Sequence, residues 1–181
     1  MLMTISAVAR LTRAKSKDIN HFAKGLDDRL TALARSHALL SQPSKTTATI
    51  KEILSQELSA QGGVEGENLS QRGPELYLPS KQAQVLSMAF HELATNAVKH
   101  GALSTKAARI EVFWDAERTQ HGQHVRICWR ERGVTINHDP LKRGFGSEIL
   151  ERSIPEMLKG SFNRTFHADG IECVLEFSIR A

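Results

Sequence analysis

The 181-residue sequence has no apolar run of about 18 residues, the length that a membrane-spanning helix needs. It also has no run of five or six basic residues, and only 6% of its residues are aromatic, although its formal net charge is +4. Proteins that bind nucleic acid concentrate basic residues in a patch or stripe. We therefore expect no membrane segment in this stretch of chain and no nucleic-acid partner.

The sequence has only two cysteines, Cys128 and Cys173, and they do not form a CxxC pair. This pattern predicts two reduced thiols in the core of a cytoplasmic protein. The phosphate-binding motif GxxxxGK[ST] is also missing. A nucleotide site in this chain would therefore not be a P-loop.

The first 62 residues have helical patterning. Apolar residues recur at steps of three and four in 1–15 and 18–41, which predicts a helical hairpin with one apolar seam, and a third helix is predicted at about 46–60. The chain has no acidic residue before Asp18, so its start also matches the composition of a mitochondrial transit peptide. The apolar period favours the amphipathic helix.

The rest of the chain, 63–181, mixes extended and helical patterns. The predicted elements are an extended stretch at 68–79, a helix at 80–100, strands at 108–114 and 124–131, a helix at about 146–158, and strands at 161–167 and 171–180. The last two strands flank an Asp-Gly turn and predict a hairpin. This order predicts an α+β fold: a mixed sheet with helices layered on one face.

The stretch "HELATNAVKHG" places polar residues along one edge of the 80–100 helix. Glu92 and Asn96 are four residues apart, and Lys99 and His100 continue this edge. One interpretation is a solvated helix edge with a Glu92–Asn96 hydrogen bond. The other is a magnesium and phosphate site, because Asn supplies a hard oxygen, Glu orients or deprotonates a water, and a lysine one turn later reaches phosphates.

A glycine cluster, "RGFGSEIL", opens the next predicted helix. Gly144 and Gly146 let a ligand approach the backbone, and the N-terminus of the following helix offers free N–H groups to an anion. Arg143 and Lys142 add positive charge beside them. Glu131 and Gly133, further upstream, strengthen the interpretation as a nucleotide site.

Three stretches, "HELATNAVKHGALS", "WRERG" and "RGFGSEILERSI", together resemble the ATP-binding domain of sensor histidine kinases, and more narrowly the HWE family. His91 matches the family's histidine, and Trp129 and Glu131 match its Trp-x-Glu pair. "FAKGLDDRLTALARSHALL" is similar to the second helix of the family's dimerisation and phosphotransfer region, and "ADGIECVLEF" is similar to its closing hairpin. The resemblance covers most of the chain.

The resemblance implies the Bergerat (GHKL) fold, with ATP and Mg²⁺ as cofactors. Asn96 would coordinate Mg²⁺, Glu92 would be the catalytic carboxylate, and Glu131 would accept a hydrogen bond from the adenine amino group. Lys99 and His100 would lie near the phosphates. The nucleotide-binding residues that the resemblance implies are His91, Asn96, Lys99, His100, Trp129, Glu131, Gly133, Arg143, Gly144, Phe145, Gly146 and Ser147.

The activity that the resemblance implies is that of a cytoplasmic protein-histidine kinase. It transfers the γ-phosphate of ATP to a histidine and then to an aspartate of a response-regulator receiver domain. Residues 1–62 would be the dimerisation and phosphotransfer region and 63–181 the ATP-binding domain, with a homodimer forming through the helical hairpin or a monomer if that hairpin is weakened.

The family's acceptor box, His-Arg-x-Lys-Asn, does not occur in the sequence, and "MLMTISAVA" looks like the residues that follow it. We therefore expect the chain to begin after the box and not to phosphorylate itself. His21 lacks the supporting box and is not expected to be the acceptor. A non-catalytic phosphotransfer or dimerising scaffold is the main alternative; a serine kinase of the anti-sigma-factor type is a weaker one, because the helical hairpin argues against it.

Overall fold

A computed structural model of the chain describes residues 5–6, 9–10, 12–13, 16, 18–40, 47–135 and 149–180. The helices are α1 (Ile19–Leu40), α2 (Ile50–Ser59), α3 (Ser80–His100) and α4 (Ile154–Leu158), with a 3₁₀ turn at Ala102–Ser104 and a π-helical turn at Ile149–Ser153. The strands are β1 (Thr47–Thr49), β2 (Leu69–Arg72), β3 (Tyr77–Pro79), β4 (Arg109–Thr119), β5 (Gly122–Arg132), β6 (Ser161–His167) and β7 (Gly170–Arg180). Across these ranges, every helix is too short or too polar to cross a membrane.

Five strands form one mixed sheet in the order β2-β4-β5-β7-β6. β2 runs parallel to β4, and the other neighbouring strands are antiparallel. The predicted alternation holds: Ile110, Val112 and Trp114 of β4 are buried, whereas the residues between them are more exposed. The mixed sheet with helices on one face, predicted from the sequence, is confirmed.

The apolar core lies between this sheet and the helices. The apolar residues of α3 are buried except Val98, which is exposed, and Phe90 is only 1% exposed. α2 contributes Ile53, Leu54 and Leu58 to the same cluster of buried side chains. α2 and the sheet therefore share one core.

The helix predicted at about 46–60 begins later, at Ile50, because Thr47–Thr49 pairs with β3 as an extended strand. Thr49 is the N-cap of α2. Its hydroxyl accepts a hydrogen bond from Glu52 N at 3.2 Å, and the Glu52 carboxylate accepts one from Thr49 N at 2.9 Å. This reciprocal capping box sets the helix start, and its Thr-x-x-Glu signature was present in the sequence.

The described residues before α1 support the predicted hairpin. Residues 5–6, 9–10 and 12–13 are helical, and the Ser16 hydroxyl donates to Thr12 O at 2.7 Å. Thr12 is buried, and a Cβ at Gly25 would lie 3.4 Å from its methyl group. Thr12 therefore packs beside the second turn of α1. Ala32 of α1 is fully buried, and α1 runs along α3.

The outer face of the sheet is polar. Arg130 donates to Glu172 across β5 and β7 and stacks over Phe113 at 4.7 Å from the ring centre. Cys128 and Cys173 are both free and buried, on opposite faces of the sheet. Burial raises the pKa of Cys128 to about 11 and also raises the pKa of Cys173. Both thiols therefore stay protonated near neutral pH.

Candidate functional site

Asn96 lies in the next-to-last turn of α3 with its side chain half-buried. Within the part of the chain that the structure describes, its carboxamide makes no hydrogen bond. Lys99 and His100 follow in the last turn and are exposed. This end of α3 thus offers a hard oxygen ligand and two basic side chains in consecutive turns.

Glu92 does not interact with Asn96. Its side chain is only 6% exposed, and the guanidinium of Arg29 on α1 contacts both carboxylate oxygens: Nε lies 2.8 Å from Oε1, and Nη2 donates to Oε2 at 3.2 Å. The interpretation as a solvated helix edge is therefore wrong for Glu92. In this arrangement Glu92 is an ion-paired carboxylate under α1, with both of its oxygens in contact with Arg29.

His91 faces α2. It is 5% exposed, and its Nδ1 lies 3.4 Å from the Glu57 carboxylate, which itself is 1% exposed. The Ser87 hydroxyl, one turn earlier on α3, donates to the same carboxylate at 2.8 Å. Glu57 is not among the residues predicted from the sequence. A signal existed, because Glu57 continues the apolar row of α2 at a position where an aliphatic residue is the norm.

Trp129 and Glu131 form one hydrogen-bonded unit on β5. The indole Nε1–H donates to Glu131 Oε1 at 3.0 Å, and the backbone N–H of Ala102 donates to Oε2 at 2.6 Å. Both side chains are buried. Residues two apart on a strand share a face, so the Trp-x-Glu spacing accounts for the first bond. The second bond ties β5 to the turn that follows α3.

Burial raises the pKa of Glu131 above its usual value, although the bonds from Ala102 N and Trp129 Nε1 oppose the rise. The protonated Glu131 carboxyl group therefore binds its proton more tightly in the folded protein than in the unfolded chain. The stabilisation is fully present below about pH 4.5 and is lost as the pH rises through the folded pKa.

We expect the wild type to lose stability relative to the Glu131→Gln variant as the pH rises above 4.5, the ordinary pKa of a glutamate carboxyl. The quantity compared is the free energy of unfolding of the wild type minus that of the variant. Urea unfolding of both proteins across this range measures the difference. Taking the difference cancels the titration of all other groups. A difference that stays flat or rises with pH would contradict the raised pKa.

Gly133 follows directly on β5. Its φ of +78° lies in the left-handed region that favours glycine, and a Cβ there would come within 3.1 Å of Ala107 O. Val134 N then donates to Asp169 O at 3.2 Å. Residues 136–148 lie outside the described residues, and with them the predicted Lys142, Arg143, Gly144, Phe145, Gly146 and Ser147.

The predicted site residues thus divide into two groups. Asn96, Lys99 and His100 lie at the end of α3, and the turn after α3 is bonded to Glu131. His91 and Glu92 are instead buried against α2 and α1. Among the described residues, no cluster of three or more His, Cys, Asp or Glu could hold a metal ion.

Comparison with known proteins finds relatives in sequence. The sequence model of the family described as HWE histidine kinase matches residues 1–75. Blue-light-activated histidine kinase 1 of Erythrobacter litoralis (strain HTCC2594) is 30% identical over 181 residues, which cover 97% of this chain and 49% of that relative.

Solved structures agree in fold. The blue-light activated histidine kinase EL346 of Erythrobacter litoralis has a TM-score of 0.61 at 19% identity, over 88% of this chain and 49% of that one. Its histidine kinase domain alone has a TM-score of 0.57 at 18% identity, over 97% of this chain and 94% of that domain. This chain therefore has the fold of a histidine kinase domain and spans about half the length of the curated relative that it matches.

Proposed function

The chain belongs to the HWE histidine kinase family, and we propose that it is the ATP-binding kinase core of a two-component sensor histidine kinase. The strongest support for this proposal is the arrangement of polar side chains at the end of α3. There the half-buried Asn96 carboxamide makes no hydrogen bond with the described residues, and Lys99 and His100 follow it in the exposed last turn. An uncommitted oxygen next to two basic side chains suits a metal-bound triphosphate.

In this proposal Asn96 supplies a ligand oxygen to Mg²⁺, and Lys99 and His100 contact the phosphates. When bound, Mg²⁺ neutralises the charge that develops on the phosphates during transfer. Glu131 accepts a hydrogen bond from the adenine amino group. Its carboxylate has lone pairs left for this bond, because each oxygen accepts only one hydrogen bond within the described residues. Gly133 lets the backbone come close to the nucleotide. By the sequence resemblance, Gly144 and Gly146 would do the same and Arg143 would add positive charge, and these three residues lie outside the described residues.

The further steps belong to the same proposal. The γ-phosphate passes to a histidine and then to an aspartate of a response-regulator receiver domain in the cytoplasm. Glu92 is the carboxylate that polarises the accepting group once Arg29 has released it. Residues 1–62 form the dimerisation and phosphotransfer region, which pairs with a second copy, and 63–181 form the catalytic domain. A non-catalytic scaffold would not require the Asn96 carboxamide or the basic side chains of Lys99 and His100 at the end of α3, so their presence favours the kinase core.

Binding of a fluorescent ATP analogue in the presence of Mg²⁺ tests the proposal. We expect Asn96→Ala to weaken this binding at least about tenfold, because the metal bridge between the chain and the phosphates is lost. Asn163→Ala is a matched control, since Asn163 is an exposed asparagine on β6. It should bind like the wild type.

Two results would contradict the nucleotide site. The first is equal binding by the wild type and Asn96→Ala. The second is failure of the wild type to bind the analogue at all, which would favour the non-catalytic scaffold.

A further inference from the structure

Glu57 is the least exposed charged side chain among the described residues, at 1%. It lies on α2, outside all three stretches that carry the family resemblance. Burying a carboxylate is costly unless it is paired and hydrogen-bonded, and a leucine at this position would continue the apolar row of α2. Packing of the apolar core therefore does not explain why a carboxylate is buried at this position.

The contacts of Glu57 explain its burial. One oxygen of Glu57 accepts from the Ser87 hydroxyl at 2.8 Å, and the other lies 3.4 Å from His91 Nδ1. Ser87 and His91 are four residues apart, so one carboxylate contacts two successive turns of α3. The Ser87 hydroxyl also lies 3.4 Å from the backbone carbonyl oxygen of Ala32 on α1. Three helices thus meet at this group.

The hydrogen bond from Ser87 and the close contact of His91 hold two successive turns of α3 against Glu57, whereas apolar packing alone lets a helix turn slightly about its own axis. Asn96 is five residues after His91, or about 140° around the helix, on the side away from α2. A rotation of about 10° moves the tip of a side chain by about 1 Å at the radius of a helix with its side chains. An error of that size at a reacting group costs up to about a hundredfold in rate.

We propose that Glu57 is a positioning residue for the nucleotide site: through Ser87 and His91 it sets the rotation of α3, and so the direction in which Asn96 presents its oxygen. This inference rests on the proposed function of Asn96. It also gives a role to His91, the histidine that marks the family. His91 does not contact the metal in this proposal; its contact with Glu57 on α2 helps to set the direction of the Asn96 side chain.

The test measures the dissociation constant of the fluorescent ATP analogue well below the Tm of each variant, with Mg²⁺ and with EDTA. We expect Glu57→Leu to raise the constant about tenfold with Mg²⁺ and to raise it clearly less with EDTA, because only the long, exposed side chains of Lys99 and His100 then contact the phosphates. Glu57→Gln keeps the shape and one acceptor and should raise it about threefold. Ile53→Val is the matched control, because it changes a 1% exposed residue of the same helix without touching the polar contacts.

A merely structural role predicts a different pattern. Glu57→Leu would then lower the Tm, as Ile53→Val does, and leave the constant with Mg²⁺ unchanged. That result would overturn the inference, and so would an equal loss of affinity with and without Mg²⁺. Combining Glu57→Leu with His91→Ala should weaken binding no further than the worse single change, since both act through one contact. Additive losses would also overturn it.

If Asn96→Ala loses Mg²⁺-dependent binding while Glu57→Leu does not, only the positioning role is wrong. If Asn96→Ala binds like the wild type, the nucleotide site itself is wrong.

Discussion

Replacing Arg29 with methionine should lower the free energy of unfolding by about 3–5 kcal/mol. Arg29 and Glu92 form a buried ion pair, with side chains that are 12% and 6% exposed. Methionine fills much of the space but leaves the Glu92 carboxylate without its partner, and an uncompensated buried charge is far more costly than the pair is stabilising. Urea unfolding of both proteins at neutral pH measures the change.

The exposed pair Arg109–Glu111 provides the control. Its side chains are 63% and 35% exposed, so Arg109→Met should cost less than about 1 kcal/mol. The double variant Arg29→Met/Glu92→Met should regain most of the lost stability, because it removes both charges at once. If Arg29→Met is as mild as Arg109→Met, Glu92 is not held as a buried charge by α1.

Gly101→Ala should lower the free energy of unfolding by a similar amount, about 3–5 kcal/mol, for a steric reason. A Cβ at Gly101 would lie 1.9 Å from Glu131 Oε2 and 2.8 Å from Ala97 Cα. To make room, Glu131 must move, which breaks its bond from Ala102 N and disturbs its bond from Trp129. Thermal and urea unfolding, together with tryptophan fluorescence, should register both effects.

Gly62→Ala separates the clash from the general effect of adding a methyl group. Gly62 has φ +87°, and a Cβ there would meet nothing within 4 Å, so the cost is only that of the left-handed backbone, about 1–2 kcal/mol. In the Gly101→Ala background, Glu131→Ala should cost much less than it does alone, since the clashing carboxylate is gone. Fully additive losses would show that Glu131 does not contact Gly101.

Local elements were predictable because their signals are local. The helix predicted at 80–100 is observed as Ser80–His100, since Pro79 and Gly101 bound a long run with a 3.6-residue apolar period. The strands follow from alternation, and the final hairpin follows from its Asp-Gly turn. The start of α2 was predicted about four residues too early, because the apolar period alone does not show the capping box at Thr49.

Partners across the fold were not predictable. Glu92 and Asn96 have the spacing of an i, i+4 pair, yet Glu92 binds Arg29, which lies 63 residues earlier in the chain. Ser87 and Glu57 are 30 residues apart, and Ala102 and Glu131 are 29 apart. Periodicity shows which face of a helix a residue occupies, but not which other element packs against that face.

The sequence by itself determined the elements of this protein, its mixed sheet and its membership of the HWE histidine kinase family, because periodicity, turn residues and spaced motifs are written in short stretches of chain. Only the tertiary structure decided which polar side chains of α3 contact another helix and which make no hydrogen bond within the described residues. Glu92 and His91 are held by α1 and α2, while Asn96 makes no hydrogen bond within the described residues. The reason is physical: a buried charge is stabilised by whichever partner the fold brings within about 4 Å, and that partner is distant in sequence.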